Sequence, residues 1–265
     1  MADKEILFKK KNGIGTIMLN CPERKNSFSM GMIDQWSATL KKWRDDPAVK
    51  VIVLTGSGDS FCAGAYFQTP PPGQPQPEPP TAYDHKSNLW DRIHRIPLTL
   101  EDTDKPVIAA LNGVAVGAGL DMALMCDLRF AAESARFSEG YVRVGFVPGD
   151  GGAYFLPRLV GVAKALELLW TGDFIDAREA ERIGMVNKVF PDDKLMEETY
   201  DLAQRLADGP TKVLALIKRV TYQSSRADLR TALDLVSSHM GVIRTTKDSQ
   251  QAMQMMMRRL KGPKK

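Results

Sequence analysis

Asn112-Gly-Val-Ala-Val-Gly-Ala-Gly-Leu-Asp121-Met-Ala-Leu-Met-Cys-Asp127 sets a glycine-rich turn and an isolated carboxylate, Asp121, inside otherwise apolar sequence. The glycines at 113, 117 and 119 let backbone approach a ligand closely. A helix opening here aims unpaired N–H groups at whatever lies in front of it, with Asp121 in its first or second turn. A carboxylate between Leu120 and Met122 is costly to bury uncompensated. It reads either as a surface acid stabilised by the helix dipole or as a general acid/base whose pKa an apolar pocket raises. A dinucleotide fingerprint is excluded, because Met122 stands where a third small residue belongs.

Outward from this run, the first half of the chain alternates strand and helix signals. Strands are expected at Ile14 to Leu19, Val49 to Leu54, Val107 to Leu111 and Leu128 to Ala131, with a helix over about Met30 to Arg44. Pro70 to Pro80 is proline-rich and reads as exposed loop or polyproline II, a stiffener more than a signalling ligand. From Met196 the pattern is helical: Met196 to Ala207, Pro210 to Gln223, Ala227 to Thr245 and Asp248 to Leu260. The methionines at 253, 255, 256 and 257 suit a helix packing into a partner.

With 265 residues, 43% of them hydrophobic, the chain can bury a sizeable core. Its net charge of +4 is modest and scattered, which gives no nucleic-acid stripe. Cys21, Cys62 and Cys126 have neither zinc-like spacing nor an even count, so reduced thiols in a cytoplasmic setting are expected. No apolar run is long enough to span a bilayer, so no membrane association is expected. His85, His94 and His239 are scattered, without a nucleophile elbow, and a hydrolase triad is not indicated.

Several ordered segments then carry a resemblance. They are Cys21-Pro-Glu-Arg-Lys-Asn26-Ser-Phe-Ser, Thr55-Gly-Ser-Gly-Asp-Ser-Phe-Cys-Ala-Gly-Ala65, the 112–127 run, and Phe137 to Gly152. Arg158-Leu-Val-Gly161, Leu168-Leu-Trp-Thr-Gly172, Ala177-Arg-Glu-Ala180 and Gly184-Met-Val-Asn187 follow. In spacing and order they resemble the crotonase (enoyl-CoA hydratase/isomerase) superfamily across most of the chain.

The resemblance implies an α/β fold with a crotonase-like ββα spiral core. Residues 1–195 would bind the CoA thioester and carry catalysis. Residues 196–265 would be a helical segment for trimer contacts and closure of the CoA site, giving a homotrimer or a dimer of trimers. Arg24, Lys25, Ser27 and Ala63 fall at positions that wrap coenzyme A, which is part of the substrate, so no separate cofactor or metal is implied. The backbone N–H groups of Ala65 and Ala118 fall on the oxyanion positions, where each donor stabilises the enolate by about 2.7 to 4 kcal/mol. Ala118 replaces a more usual glycine, which a donor tolerates if φ stays negative.

The acid/base positions depart from the hydratase pattern. Asp121 stands at the first of two glutamate positions, with a reach shorter by about 1.5 Å. The second falls on Tyr141, whose phenol is a poor base at neutral pH but a proton donor or water-orienting group. Asp150 can supply the missing carboxylate, or can be an ordinary helix N-cap. Glu139 ranks below it, since on an extended segment it would lie about 6.6 Å from Tyr141. Tyr66 replaces a usual aspartate after Ala65, and with the proline insertion it is expected to shape a pocket for a bulky, aromatic or alicyclic acyl group. Trp90 and Phe146 are further candidates for its walls.

The leading expectation is therefore hydration of a 2-enoyl-CoA, with Asp121 and either Tyr141 or Asp150 moving protons. Double-bond isomerisation, which one base suffices to run, is the alternative. A non-catalytic CoA-binding protein is the third reading.

Overall fold

The computed structural model describes residues 4–66 and 78–260. Most of the proline-rich run and the basic tail lie outside the described residues. The chain begins with strands β1 (Ile6–Lys11) and β2 (Ile14–Leu19) and helix α1 (Met30–Asp45). Next come β3 (Val51–Gly56), β4 (Ser60–Cys62), α2 (Ala82–Asn88), a π-helical turn (Leu89–Ile93) and α3 (Arg95–Glu101). Strands β5 (Val107–Leu111) and β6 (Val114–Val116) lead into α4 (Ala118–Leu124). Strands β7 (Leu128–Ala132) and β8 (Arg136–Ser138) are followed by a 3-10 helix (Gly140–Val144), α5 (Gly152–Val160) and α6 (Val162–Thr171). The remainder is β9 (Ile175–Asp176), α7 (Ala177–Arg182), β10 (Lys188–Phe190), α8 (Leu195–Ala207), α9 (Thr211–Ser224), α10 (Leu229–Arg244) and α11 (Lys247–Leu260).

From β3 to β8, successive strands alternate between two sheets. One sheet has the order β1-β2-β3-β5-β7-β10 and the other β4-β6-β8-β9. Each ββ-plus-helix repeat thus lays one strand beside its predecessor in both sheets, which is the expected spiral. Pairing is parallel except for β1 with β2 and β8 with β9.

Central strands β3 and β5 are buried at every residue, as a parallel sheet covered on both faces requires. Helix α1 starts where Ser29 accepts from the Met32 N–H, and it buries Met32, Ile33, Trp36, Leu40 and Trp43 along one face. Helix α8 lies against β2, β3, β5 and β7 and buries Leu195, Thr199, Ala203 and Ala207.

The expected strand at Val49 begins at Val51, because Val49 belongs to the turn after α1. Strand β1 has no counterpart in the sequence reading. Its Lys9-Lys10-Lys11 end hides an edge strand that folds back through Asn12 and Gly13, both at positive φ, in a tight hairpin.

Candidate active site

The second sheet delivers the site. After β6 comes Gly117, whose φ of 50° turns the chain into α4. Gly119, in the first turn of α4, sits so close to the end of β4 that a Cβ would lie 2.1 Å from the Cys62 carbonyl oxygen. This contact draws the turn after β4 against the helix N-terminus. Gly64, at φ 96°, lies beside the Ala118 nitrogen, 3.8 Å from where its own Cβ would be. Ala65 bridges to Phe28. Ala118 keeps a negative φ, since the described non-glycine residues with positive φ are Asn12, Lys25 and Asn26.

Behind these two turns, three acids and a phenol converge. Asp121, on the first turn of α4, has no solvent exposure. Tyr141 lies in the 3-10 helix, with its hydroxyl 2.7 Å from Asp121 Oδ2 and 2.8 Å from Asp150 Oδ2. Asp150 does not cap α5, because Gly151 occupies that position and the Asp150 side chain turns inward to Tyr141. Gly152 leaves room for the cluster, as a Cβ there would fall 2.3 Å from Asp121 Oδ1. Glu139 is not on an extended segment; it precedes the 3-10 helix at φ −84°, ψ 55° and is 1% exposed. The sequence period broke there because Tyr141 N–H bonds back to the Glu139 carbonyl, 2.8 Å away.

Electrostatically, burial dominates. It pushes Asp121 up to about 7, against hydrogen bonding from Tyr141, which lowers it. Asp150 is raised by burial, partly offset by Tyr141 and by His94. Glu139 is raised well above the usual carboxylate range by burial and then by the charge of Asp121. Burial and the two aspartates hold the Tyr141 phenol protonated.

Asp150 lines a cavity of about 800 Å³ bounded by α3, α5 and α9, with Trp90, Met125, Tyr154 and Phe155 among its walls. Asp121 and Phe146 are not among its wall residues. Tyr66 is elsewhere, with its ring 4.5 Å from the Arg24 guanidinium. His94, scattered in the sequence reading, fixes the loop before Asp150 by donating from Nε2 to the Gly149 carbonyl at 2.7 Å. Its i, i+4 spacing from Trp90, with the rings edge to face at 5.9 Å, was the available signal.

On the other side, Arg24 bonds Glu5 at 2.7 Å and the Ser27 carbonyl at 2.9 Å. Lys25 reaches Asp59 at 2.7 Å but stays largely exposed. The Ala63 N–H donates to the Lys25 carbonyl. Asn26, completely buried, ties the loops together through the Cys21 N–H and the Ser57 and Ser60 carbonyls.

The family model described as enoyl-CoA hydratase/isomerase matches residues 9–263. The chain belongs to the enoyl-CoA hydratase/isomerase family. It is 33% identical to crotonyl-CoA hydratase of Syntrophomonas wolfei over 96% of this chain and 95% of that protein. It is 37% identical to 1,2-epoxyphenylacetyl-CoA isomerase of Escherichia coli over 87% of this chain and 86% of that one. The crystal structure of enoyl-CoA hydratase from Bacillus anthracis superposes with a TM-score of 0.83 at 29% identity, covering 97% of each chain. The spiral core is therefore a crotonase fold, and this family member is an enzyme of the hydratase or isomerase type acting on acyl-CoA thioesters.

Proposed function

We propose that the chain shifts a double bond within an enoyl-CoA thioester, with Asp150 as the group that carries the proton. The observation behind this reading is that Asp150 alone of the clustered acids lines the cavity, while Tyr141 fills the space between it and Asp121. Hydration needs two proton-handling groups facing one water, whereas isomerisation runs with one.

With the thioester oxygen between the Ala65 and Ala118 N–H groups, the Asp150 carboxylate takes a proton from C2 of a 3-enoyl-CoA. The electron pair passes into the thioester as a dienolate, and the same proton returns to C4 to give the 2-enoyl isomer. Supporting the oxyanion role, neither N–H has a backbone partner among the described residues, and the two turns abut. Lys25, with Arg24, Ser27 and Ala63, suits the CoA end because its ammonium is exposed beside the first turn. The aromatic walls and size of the cavity suit a bulky or ring-bearing acyl group.

Hydration of a 2-enoyl-CoA is the second reading, favoured by the two aspartates that bracket Tyr141 and by the hydratase name of the Syntrophomonas relative. Incubating the protein with straight-chain and ring-bearing 2- and 3-enoyl-CoA thioesters separates the two by absorbance and product mass. New conjugated absorbance at unchanged mass establishes the isomerase, and a gain of one water establishes the hydratase.

The apolar face of α10 (Leu229, Leu233, Val236, Met240) and the methionines of α11 are exposed, which supports a homotrimer or dimer of trimers. Three free, buried cysteines suit a reducing cytoplasm.

A further inference from the structure

Among the buried acids of the cluster, Asp121 and Glu139 have no step in this mechanism, and Glu139 is the one whose carboxyl the Tyr141 hydroxyl does not contact. It projects from the start of the 3-10 helix into surroundings made by Leu120 of α4, Phe137 of β8, Leu168 of α6, Ile175 of β9 and Met185. None of these groups can ionise, and the neighbouring Ser138 hydroxyl is committed to the Gly172 carbonyl at 2.7 Å. Glu139 and Asp121 lie close enough to share a side-chain hydrogen bond, while the Glu139 oxygens, Asp121 Oδ1 and Asp150 Oδ1 have no other partner among the described residues. The charged or titratable groups that act on Glu139 are Asp121 and Asp150, both acidic. No cation offsets it, and among the described residues no group of three or more His, Cys, Asp or Glu is placed to hold a metal ion. An isolated carboxylate in such a place is too costly to keep ionised.

Proton counting then limits the states of the cluster. Tyr141 has one hydroxyl hydrogen but two carboxyl oxygens at hydrogen-bond distance, so it donates to one and must accept from the other. At least one of Asp121 and Asp150 therefore carries a proton. Asp150 faces the cavity and Asp121 has no exposure, so the charge is better placed on Asp150. Asp121 Oδ1 is left as a free acceptor on the Glu139 side, and the two carboxyls lie close enough for each to shift the other's protonation.

We propose that Glu139 is a positioning residue: held as a neutral carboxylic acid, it donates to Asp121 and so orients a one-way chain of donors, Glu139 to Asp121 to Tyr141, that ends on the Asp150 carboxylate. Every hydrogen in the chain points toward the group that meets substrate. The net charge of the four groups is then a single negative charge, stabilised without any cation. The catalytic consequence rests on Asp150 being the proton carrier proposed above, whereas the protonation pattern does not.

Infrared spectroscopy of the protein alone at about pH 6, below the value of about 7 to which burial raises Asp121, tests the pattern. Two buried protonated carboxyl bands are expected, one lost in Glu139→Gln and the other in Asp121→Asn. An unchanged spectrum in Glu139→Gln means that Glu139 is ionised and overturns the proposal. The orienting role is read from the pH profile of kcat/KM with whichever enoyl-CoA turns over. Glu139→Leu, which fits the apolar surroundings but cannot donate, should move the acidic limb up by about one pH unit, a ten-fold loss below it. Glu139→Gln keeps a donor and should hold the limb near its original place. In a Tyr141→Phe background, where the chain is already cut, Glu139→Leu should add nothing. Equal damage from Gln and Leu, or an additive loss in that background, overturns the orienting role. If the infrared bands behave as expected while only hydration is detected, the proton chain stands and the isomerase reading falls.

Discussion

Asp150 carries the heaviest single-residue expectation. Asp150→Asn keeps the shape and the contact with Tyr141 but cannot accept a proton, so kcat should fall by about 10²- to 10⁴-fold with the circular dichroism spectrum unchanged. Asp121 makes a separate prediction about stability. Its folded-state pKa, about 7, lies above that of an ordinary carboxyl, so the folded state binds more protons than the unfolded chain in between. Stability should therefore decline as pH rises from about 4 to about 7 and level off above. Asp121→Asn should flatten that decline in urea-unfolding measurements. The acidic residue types and positions at this site were legible in the chain, since Asp121, Tyr141 and Asp150 all enter the cluster. Their division of labour was not, because the depth of each carboxyl depends on elements far apart in sequence.

At the scale of elements, the site depends on α4, β4 and α5 approaching more closely than side chains allow. Gly152→Ala would drive a methyl group into Asp121 Oδ1, so it should cost about 1 to 3 kcal/mol in unfolding free energy and at least ten-fold in turnover. Helix α9 is held against the cavity by Asp127, which accepts from Lys218 Nζ at 2.8 Å, the Tyr222 hydroxyl at 2.9 Å and the Val107 N–H at 2.8 Å. Asp127→Ala leaves the Val107 N–H unpaired and Lys218 with only the Lys105 carbonyl, and should destabilise by about 1 to 3 kcal/mol. Hydrogen exchange would show faster amides across α9 ahead of the sheet. The helices expected from apolar spacing, α1 and α8 to α11, lie within two residues of their expected bounds, whereas the shorter helices between β4 and β10 had no expected bounds. The strands β4, β6 and β8 have three residues each, too few for a period to register, so the second sheet escaped notice.

Across the whole molecule, the exposed apolar residues of α10 and α11 are the largest unspent resource. Light scattering after size exclusion should report a trimer or hexamer. Paired Leu233→Glu and Met240→Glu substitutions should shift it toward monomer, since two charges would have to be desolvated at the contact. Among the described residues, no helix is long and apolar enough to cross a membrane. Apolar periodicity in the chain by itself gave strands and helices, because it constrains local conformation wherever it occurs, and the spiral was legible only through the ordered motifs that resemble the crotonase family. The chain's own sequence also singled out Asp121 as a candidate, because a lone carboxylate between Leu120 and Met122 is costly to bury. Only the tertiary structure decided that Asp150 faces the cavity, that Tyr141 joins it to Asp121, and that Glu139 lies buried behind them. Burial, proton sharing and the shape of a cavity arise from segments meeting in space, and their energies depend on distances that no local pattern encodes.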